Sequence, residues 1–370
     1  MKKQLLCTSA IALGVAAAPA SAQDWNLDWG GFFQQHVAYT EVSGSNFAAQ
    51  FGAGGDLDGI QMFTNAEIIF TPNITLDNGM TFGVNVQLEA LNSGNAQIDE
   101  SYMSISSDTF GRIDAGYENS AGYKMMVGAP QVGSMAINSP SASAFIPFVT
   151  GGGAPGAFRQ AALSSYTEVA GNNDIARITY YTPSFSGFTA GISYAPGTTG
   201  NVAGILANRG GPLATAVTDI FDLGVNYSQS FGTTDITVAA RWGTGDSNVV
   251  GISDPETWGV GFQVGFSGFT FGASYAENDN GAATGDQQGY SVGVAYDAAG
   301  PWTFGLEAYI GEVDNGAAPD GEYEYYKLAA NRDLGPGVSW TTYLLQGQTQ
   351  NAAGADIDGT AIGTAINLSF

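Results

Sequence analysis

Along most of its length the chain alternates apolar and polar residues with a period of two. The clearest run is 80–90, where Met80, Phe82, Val84, Val86, Leu88 and Ala90 interleave with Thr81, Gly83, Asn85, Gln87 and Glu89. Such a beat sets one face of an extended strand against an apolar medium and the other against water. The turn Leu76-Asp77-Asn78-Gly79 joins this run to a preceding one, 60–71, whose apolar side carries Ile60, Met62, Ala66, Ile68 and Phe70. Asn-Gly between two alternating runs is a strong hairpin signal. The unit recurs at 188–194, 221–228, 235–242, 258–266 and 302–311, and more weakly at 29–42, 98–106, 111–118, 174–182, 269–277, 288–297, 323–332, 338–347 and 360–370. Together these make sixteen predicted strands, an even number that lets the two ends of the chain meet.

Short turns such as 232–234 and 267–268 alternate with longer, polar, acidic loops such as 43–59, 196–218, 244–256 and 313–321. That asymmetry suits a membrane barrel with tight turns at one rim and long loops at the other. Aromatic ends of the apolar faces, among them Trp29, Tyr39, Tyr227, Trp242, Tyr275, Trp302 and Trp340, fit interfacial girdles. In hydrocarbon an unpaired sheet edge would strand a row of N–H and C=O groups at several kcal/mol each, so the sheet must close. The opposite faces carry Gly, Ser, Thr, Asn, Gln and charged residues, which predicts a wet lumen, and sixteen strands are enough for an aqueous channel. The predicted fold is all-β, a 16-stranded antiparallel transmembrane β-barrel.

One stretch breaks the pattern. Residues 119–173 hold eight Gly and four Pro, with Lys124, Arg159 and Glu168 as the only charges. A connection that long inside a compact domain calls for a functional reason.

Composition narrows the classes. Lys2 and Lys3, the apolar run 5–18 and Ala20-Ser21-Ala22 read as an export signal over residues 1–22, leaving 23–370 as one barrel domain. Cys7 falls within that leader, so the mature chain offers no disulfide, thiolate or cysteine metal site. Removing the two leader lysines leaves eight basic residues against 34 acids, a net charge of −26. Nucleic acid is thereby excluded as a partner. The charge raises cation concentration at the mouth, but salt screens it beyond roughly 8 Å, so a mild cation preference is expected.

Two stretches and the terminus resemble a known family. Residues 100–117 (ESYMSISSDTFGRIDAGY) are similar to the strand–turn–strand before the constriction loop of general porins of Gram-negative bacteria, and residues 178–194 (ITYYTPSFSGFTAGISY) to the hairpin after it. The final strand, ending in Phe370, resembles the family's signal for the barrel-assembly machinery. Similarity extends over essentially the whole mature chain and is greatest to the alphaproteobacterial type.

The resemblance implies a homotrimer in the outer membrane, set among lipid and lipopolysaccharide, passing ions and small hydrophilic solutes by passive diffusion. It also implies that a third external loop, here 119–173, folds inward and narrows the channel. Phe145, Ile146, Phe148 and Phe158 would pin that loop to the wall. Related porins set acids on the loop against arginines on the wall. Here lumen-facing parity gives Arg112, Arg177, Arg241 and Lys327 on strands, and Lys124, Arg159 and Glu168 lie on the loop between Glu118 and Asp174. Strands one to three turn His36, Glu67 and Glu89 to the lumen. The expected pore-lining set is Arg112, Glu118, Lys124, Arg159, Glu168, Asp174, Arg177 and Arg241.

Blander roles stand beside these. The wall arginines equally suit pairing with neighbouring carboxylates, and Lys124 and Arg159 suit loop anchors. The acidic loops 55–59, 277–281 and 356–359 offer oxygen ligands for Ca²⁺ but match no complete calcium loop, so solvated surface is the favoured reading and no cofactor is expected. A solute-specific channel would need a run of lumen aromatics or a ring of Lys and Arg, and neither is evident. A barrel hydrolase would depend on His36, the sole histidine, which no nucleophile motif accompanies. A soluble β-rich adhesin completes the alternatives.

Overall fold

The structure is a computed structural model that describes residues 24–90, 98–198 and 216–370. The predicted leader 1–22 and most of the loop 196–218 lie outside the described residues. Strands follow in chain order as β1 (Trp29–Ser43), β2 (Gly59–Phe70), β3 (Asn73–Thr75), β4 (Thr81–Glu89), β5 (Ile98–Ser107), β6 (Gly111–Glu118), β7 (Ile175–Tyr181), β8 (Phe188–Gly197) and β9 (Val217–Phe231). They continue as β10 (Thr234–Ser247), β11 (Glu256–Phe266), β12 (Phe269–Asp279), β13 (Gln287–Asp297), β14 (Trp302–Val313), β15 (Gly321–Gly335), β16 (Val338–Gln350) and β17 (Asp356–Ser369).

Apart from β2 and β3, which both pair with β4, each strand pairs antiparallel with its chain neighbours, and β1 pairs with β17 from Phe32↔Ser369 to Ser43↔Asp358, which closes the sheet. Backbone bonds Gly31 N→Phe370 O (3.0 Å) and Phe370 N→Gly31 O (3.1 Å) seal the two ends. β2 and β3 are one stave, broken at Thr71-Pro72 because Pro lacks the N–H a ladder needs. Both halves pair with β4 in one continuous register, so the barrel has sixteen staves.

Several strands outrun their predicted ends, β9, β10, β15, β16 and β17 most of all. At their outer ends the outward positions become Glu322, Gln348 and Asp358, so the hydrophobic beat stops at the lipid boundary while the ladder of backbone bonds continues. Below that boundary the outer wall is apolar and bare: Ile60 is 76% exposed, Met62 70% and Ile362 62%. No helix among the described residues is long and apolar enough to cross a membrane.

The packed core lies inside the ring. Tyr309, Tyr323, Tyr325, Tyr343, Leu345 and Ala361 from the strands meet Val132, Ile137, Phe145, Ile146 and Leu163 from the long loop. The expectation of a wet inner face fails over this part of the wall, because the loop covers it.

Candidate functional site

Segment 119–173 leaves β6 and re-enters at β7, and between them it follows the inner wall around the barrel and back. The outgoing limb starts in a short helix, α1 (Ala121–Met125), capped by Ser120, whose Oγ accepts the Tyr123 N–H at 3.2 Å. Polar side chains on successive strands then satisfy its backbone. Ala121 N donates to Ser193 Oγ at 2.8 Å, Asn226 Nδ2 to Met125 O at 3.0 Å and Gln263 Nε2 to Gly128 O at 2.9 Å. Ala129 N donates to Ser291 Oγ at 3.1 Å, Tyr323 OH to Ile137 O at 2.8 Å and Tyr325 OH to Ile146 O at 2.7 Å. Buried carbonyls and amides of an irregular segment must find such partners.

At the far side Phe145 packs edge-on against His36 and Phe63. The tip is fastened from above: Gln50 Nε2 donates to Phe148 O (2.7 Å), Asn351 Nδ2 to Thr150 O (2.9 Å) and Val149 N to Thr349 Oγ1 (2.7 Å). The return limb is held by Ala161 N→Asn278 Oδ1 (2.7 Å), Tyr309 OH→Ala161 O (2.5 Å) and the Thr167–Thr257 hydroxyl pair (2.8 Å).

Glycine makes the close approach possible. A Cβ on Gly261 would collide with Val127 O, one on Gly289 with Ala161 O and one on Gly311 with Ala162 O. Glycines that count toward the polar face in the sequence are therefore seats for the loop backbone.

Two groups of buried charge lock it. Lys327 Nζ sits 2.6 Å from Glu307 and donates to Ser134 O (3.1 Å) and Met135 O (3.0 Å). At the return end, Glu168 Oε1 accepts the Ser120 N–H (2.7 Å), and its Oε2 lies 3.6 Å from Arg177 Nη1. Arg177 also faces Asp222 (3.8 Å) and donates to Asn172 O (3.1 Å). Arg241 pairs with Asp222 and donates to Thr167 O and, at 2.8 Å, to Thr167 Oγ1. Glu168, Arg177, Asp222 and Arg241 are each no more than 5% exposed.

Among the described residues, the sector from β3 to β6 remains open. A cleft of about 380 Å³ there is lined by Thr71, Asn73, Asn85, Tyr102, Ser104 and Arg112. Arg112 Nε lies 2.6 Å from Asp114, and Lys124 Nζ is 2.6 Å from Glu118 and 4.5 Å from the Tyr102 ring. Nearby, carboxylate oxygens of Glu67, Glu89 and Asp99 all lie within 4.8 Å of one another. From the loop, Arg159 stacks on Tyr123 and Phe158 (4.3 Å to each ring) and donates to Ser139 Oγ at 3.0 Å, with its backbone at φ 60°. Asp174 takes N–H bonds from Asn119 (2.9 Å) and Asn173 (2.5 Å). Burial, with Asp99, Glu100 and Glu168 adding to it and Arg159 opposing, pushes the Asp174 carboxyl up to about 7.

Of the eight residues expected to line the pore, Arg112, Lys124, Arg159 and Asp174 keep access to water. Glu118, Glu168, Arg177 and Arg241 are sealed between loop and wall, where a permeating ion cannot touch them. Lys327 anchors the loop, and His36 is closed beneath its tip with Nδ1 3.2 Å from Tyr343 OH, out of reach of any substrate. Of the four apolar pins, Phe145 and Ile146 are buried and Phe148 is half-buried; Phe158 is 44% exposed and serves as a platform for Arg159. Inner-face aromatics do exist: Tyr309, Tyr323, Tyr325 and Tyr343, covered by the loop. Their shared parity with Lys327 and Glu307 was the available signal. In the acidic loops, Asp58 is taken up by Val42 N (2.8 Å), Asp279 by Gly281 N (2.7 Å) and Asp356 by Ser45 N (2.9 Å).

An apolar outer wall closed into a ring around an aqueous cleft, with the chain's own loop filling the rest of the bore, defines a membrane-spanning channel barrel. A model of the Gram-negative porin family matches residues 8–355, and the chain belongs to that family. It is accordingly a multi-pass barrel of the outer membrane and a channel. The fold is similar to an anion-selective porin from Comamonas acidovorans, 18% identical, over 94% of this chain and 100% of that one (TM-score 0.61). It is also similar to the outer membrane channel DcaP of Acinetobacter baumannii, 12% identical over 96% and 100% (TM-score 0.63), and to the trimer form of OmpT of Vibrio cholerae, 13% identical over 94% and 99% (TM-score 0.61). At these identities the likeness concerns the fold. No match is found among curated proteins.

Proposed function

We propose that the protein is a passive diffusion porin for ions and small hydrophilic solutes, cation-preferring, working as a homotrimer after removal of residues 1–22. Segment 119–173 is its constriction loop, Phe370 its assembly signal, and lipid and lipopolysaccharide surround it. The observation that carries the reading is the division of the bore. The loop packs along the wall from β7 round to β2 and, among the described residues, leaves an open cleft in the sector from β3 to β6. At its edge Glu67 on β2, Glu89 on β4 and Asp99 on β5 cluster on the wall, and Arg159 on the loop acts on Asp99, so the transverse field runs with its acids on the wall and its cation on the loop. That sense is opposite to the arrangement expected from related porins.

A passive channel of this kind needs no conformational cycle, since bore and lumen charge set what passes. Reversal potentials in a salt gradient across planar bilayers test it. Wild-type protein should show stepwise conductance and a cation-selective potential. Glu67→Gln with Asp99→Asn should move that potential toward zero, and Arg159→Gln should move it further toward cations. Folded oligomers that never conduct would overturn the porin reading, and an unchanged potential in all variants would overturn the assignment of the selective charges.

A further inference from the structure

We propose that Glu168 is a charge plug that holds the loop closed, and that a loop displaced from it exposes a wider lumen with the Arg177–Arg241 pair on its wall. The inference rests on the porin reading and adds a second conductance state to it. Four charges meet behind the loop, two arginines and two acids, and they balance. Three of them, Arg177, Asp222 and Arg241, belong to the wall strands β7, β9 and β10; only Glu168 comes from the loop. With the loop docked the cluster is neutral and dry. Without it this cluster keeps two guanidinium groups against one carboxylate, all on inward positions, while Glu118 on β6 loses its loop partner Lys124.

The cluster also ties the loop's two limbs together. Glu168 reaches across to the Ser120 N–H where the outgoing limb begins, and its own N–H donates to Arg159 O (2.9 Å). Arg241 holds Thr167 on the return limb and fills the space above Gly122 on the outgoing one, where a Cβ would lie 2.7 Å from Nη2. Removing one partner of a buried ion pair is strongly destabilising because the other charge is left unpaired in a dry site, whereas removing a matched pair is far milder. Glu168→Gln should therefore release the loop, and Arg177→Gln added to it should restore docking by leaving Arg241 and Asp222 as a balanced pair.

Single-channel recordings with zero-current potentials decide the matter, using folded oligomers that run unheated as such on a gel. Glu168→Gln should give a larger conductance than wild type and a weaker cation preference; the double variant should return toward wild-type conductance. A tether supplies an independent check. Thr167 and Thr257 have hydroxyls 2.8 Å apart, close enough for a disulfide once both are changed to Cys, and Cys7 lies in the predicted leader. Under oxidation the tethered Glu168→Gln channel should regain the small conductance, and reductant should abolish that recovery. If Glu168→Gln does not fold, Arg241→Lys keeps the charge but loses the fork that spans Asp222 and Thr167, and should show the larger conductance. Unchanged conductance with reduced cation preference in Glu168→Gln, or no rescue by the second substitution and the tether, would overturn the proposal. Loss of all conductance in folded wild-type protein would instead overturn the porin reading.

Discussion

Lys327 and Glu307 face each other on adjacent strands at 2.6 Å, both nearly without exposure, and the lysine spends its remaining donors on two loop carbonyls. A lumen-facing lysine is thus part of the loop's foundation. Lys327→Met should leave Glu307 uncompensated and cost about 3–5 kcal/mol, the usual penalty for breaking one side of a buried pair. Urea unfolding of refolded protein measures it, and Lys327→Met with Glu307→Leu should recover much of the loss. Equal destabilisation in both would mean that the ion pair is not the source.

Gly261 and Gly265 lie on the same face of β11, yet only Gly261 has the loop against it. Gly261→Ala should push the outgoing limb from the wall at Val127, altering single-channel conductance and lowering the temperature at which the oligomer dissociates. At Gly265 the nearest atom to a new Cβ is 3.6 Å away, so Gly265→Ala should behave as wild type.

Phe145 and Phe158 test the same contrast for aromatics. Phe145 is 3% exposed against His36 and Tyr343, and its replacement by Ala should cost about 3–5 kcal/mol. Phe158 is 44% exposed, and Phe158→Ala should cost well under that, with its effect on ion preference instead through the loosened Arg159.

Asp174 should make ion preference depend on pH. Its carboxyl is raised from 3.8 to about 7, so it gains charge as pH rises through neutrality and adds a negative group beside the cleft. Cation preference should climb between about pH 6 and 8, and Asp174→Asn should diminish that step. For stability the sign is the reverse of an ordinary paired acid. The folded state disfavours the ionised form, so this group's contribution is greatest at low pH and is lost as pH climbs from about 4 to about 7.

The sequence alone determined the ring. Period-two alternation records which side chain meets lipid and which does not, and that requirement acts residue by residue along each strand; β6 and β11 begin or end where the beat does. It also marked 119–173 as the interruption and Phe145 and Ile146 as apolar anchors. It did not separate an inner face wet by solvent from one covered by the chain's own backbone, because Gly, Ser, Thr and Tyr serve both. Gly261 beside Val127, Tyr323 beneath Ile137 and Arg241 between the two limbs acquire their roles from contacts across more than seventy residues. Only the tertiary structure decided which inward charges touch water: Glu168 and Arg177 are buried behind the loop, while Glu67 and Glu89, lumen-facing by parity, stay half-buried and are joined by Asp99.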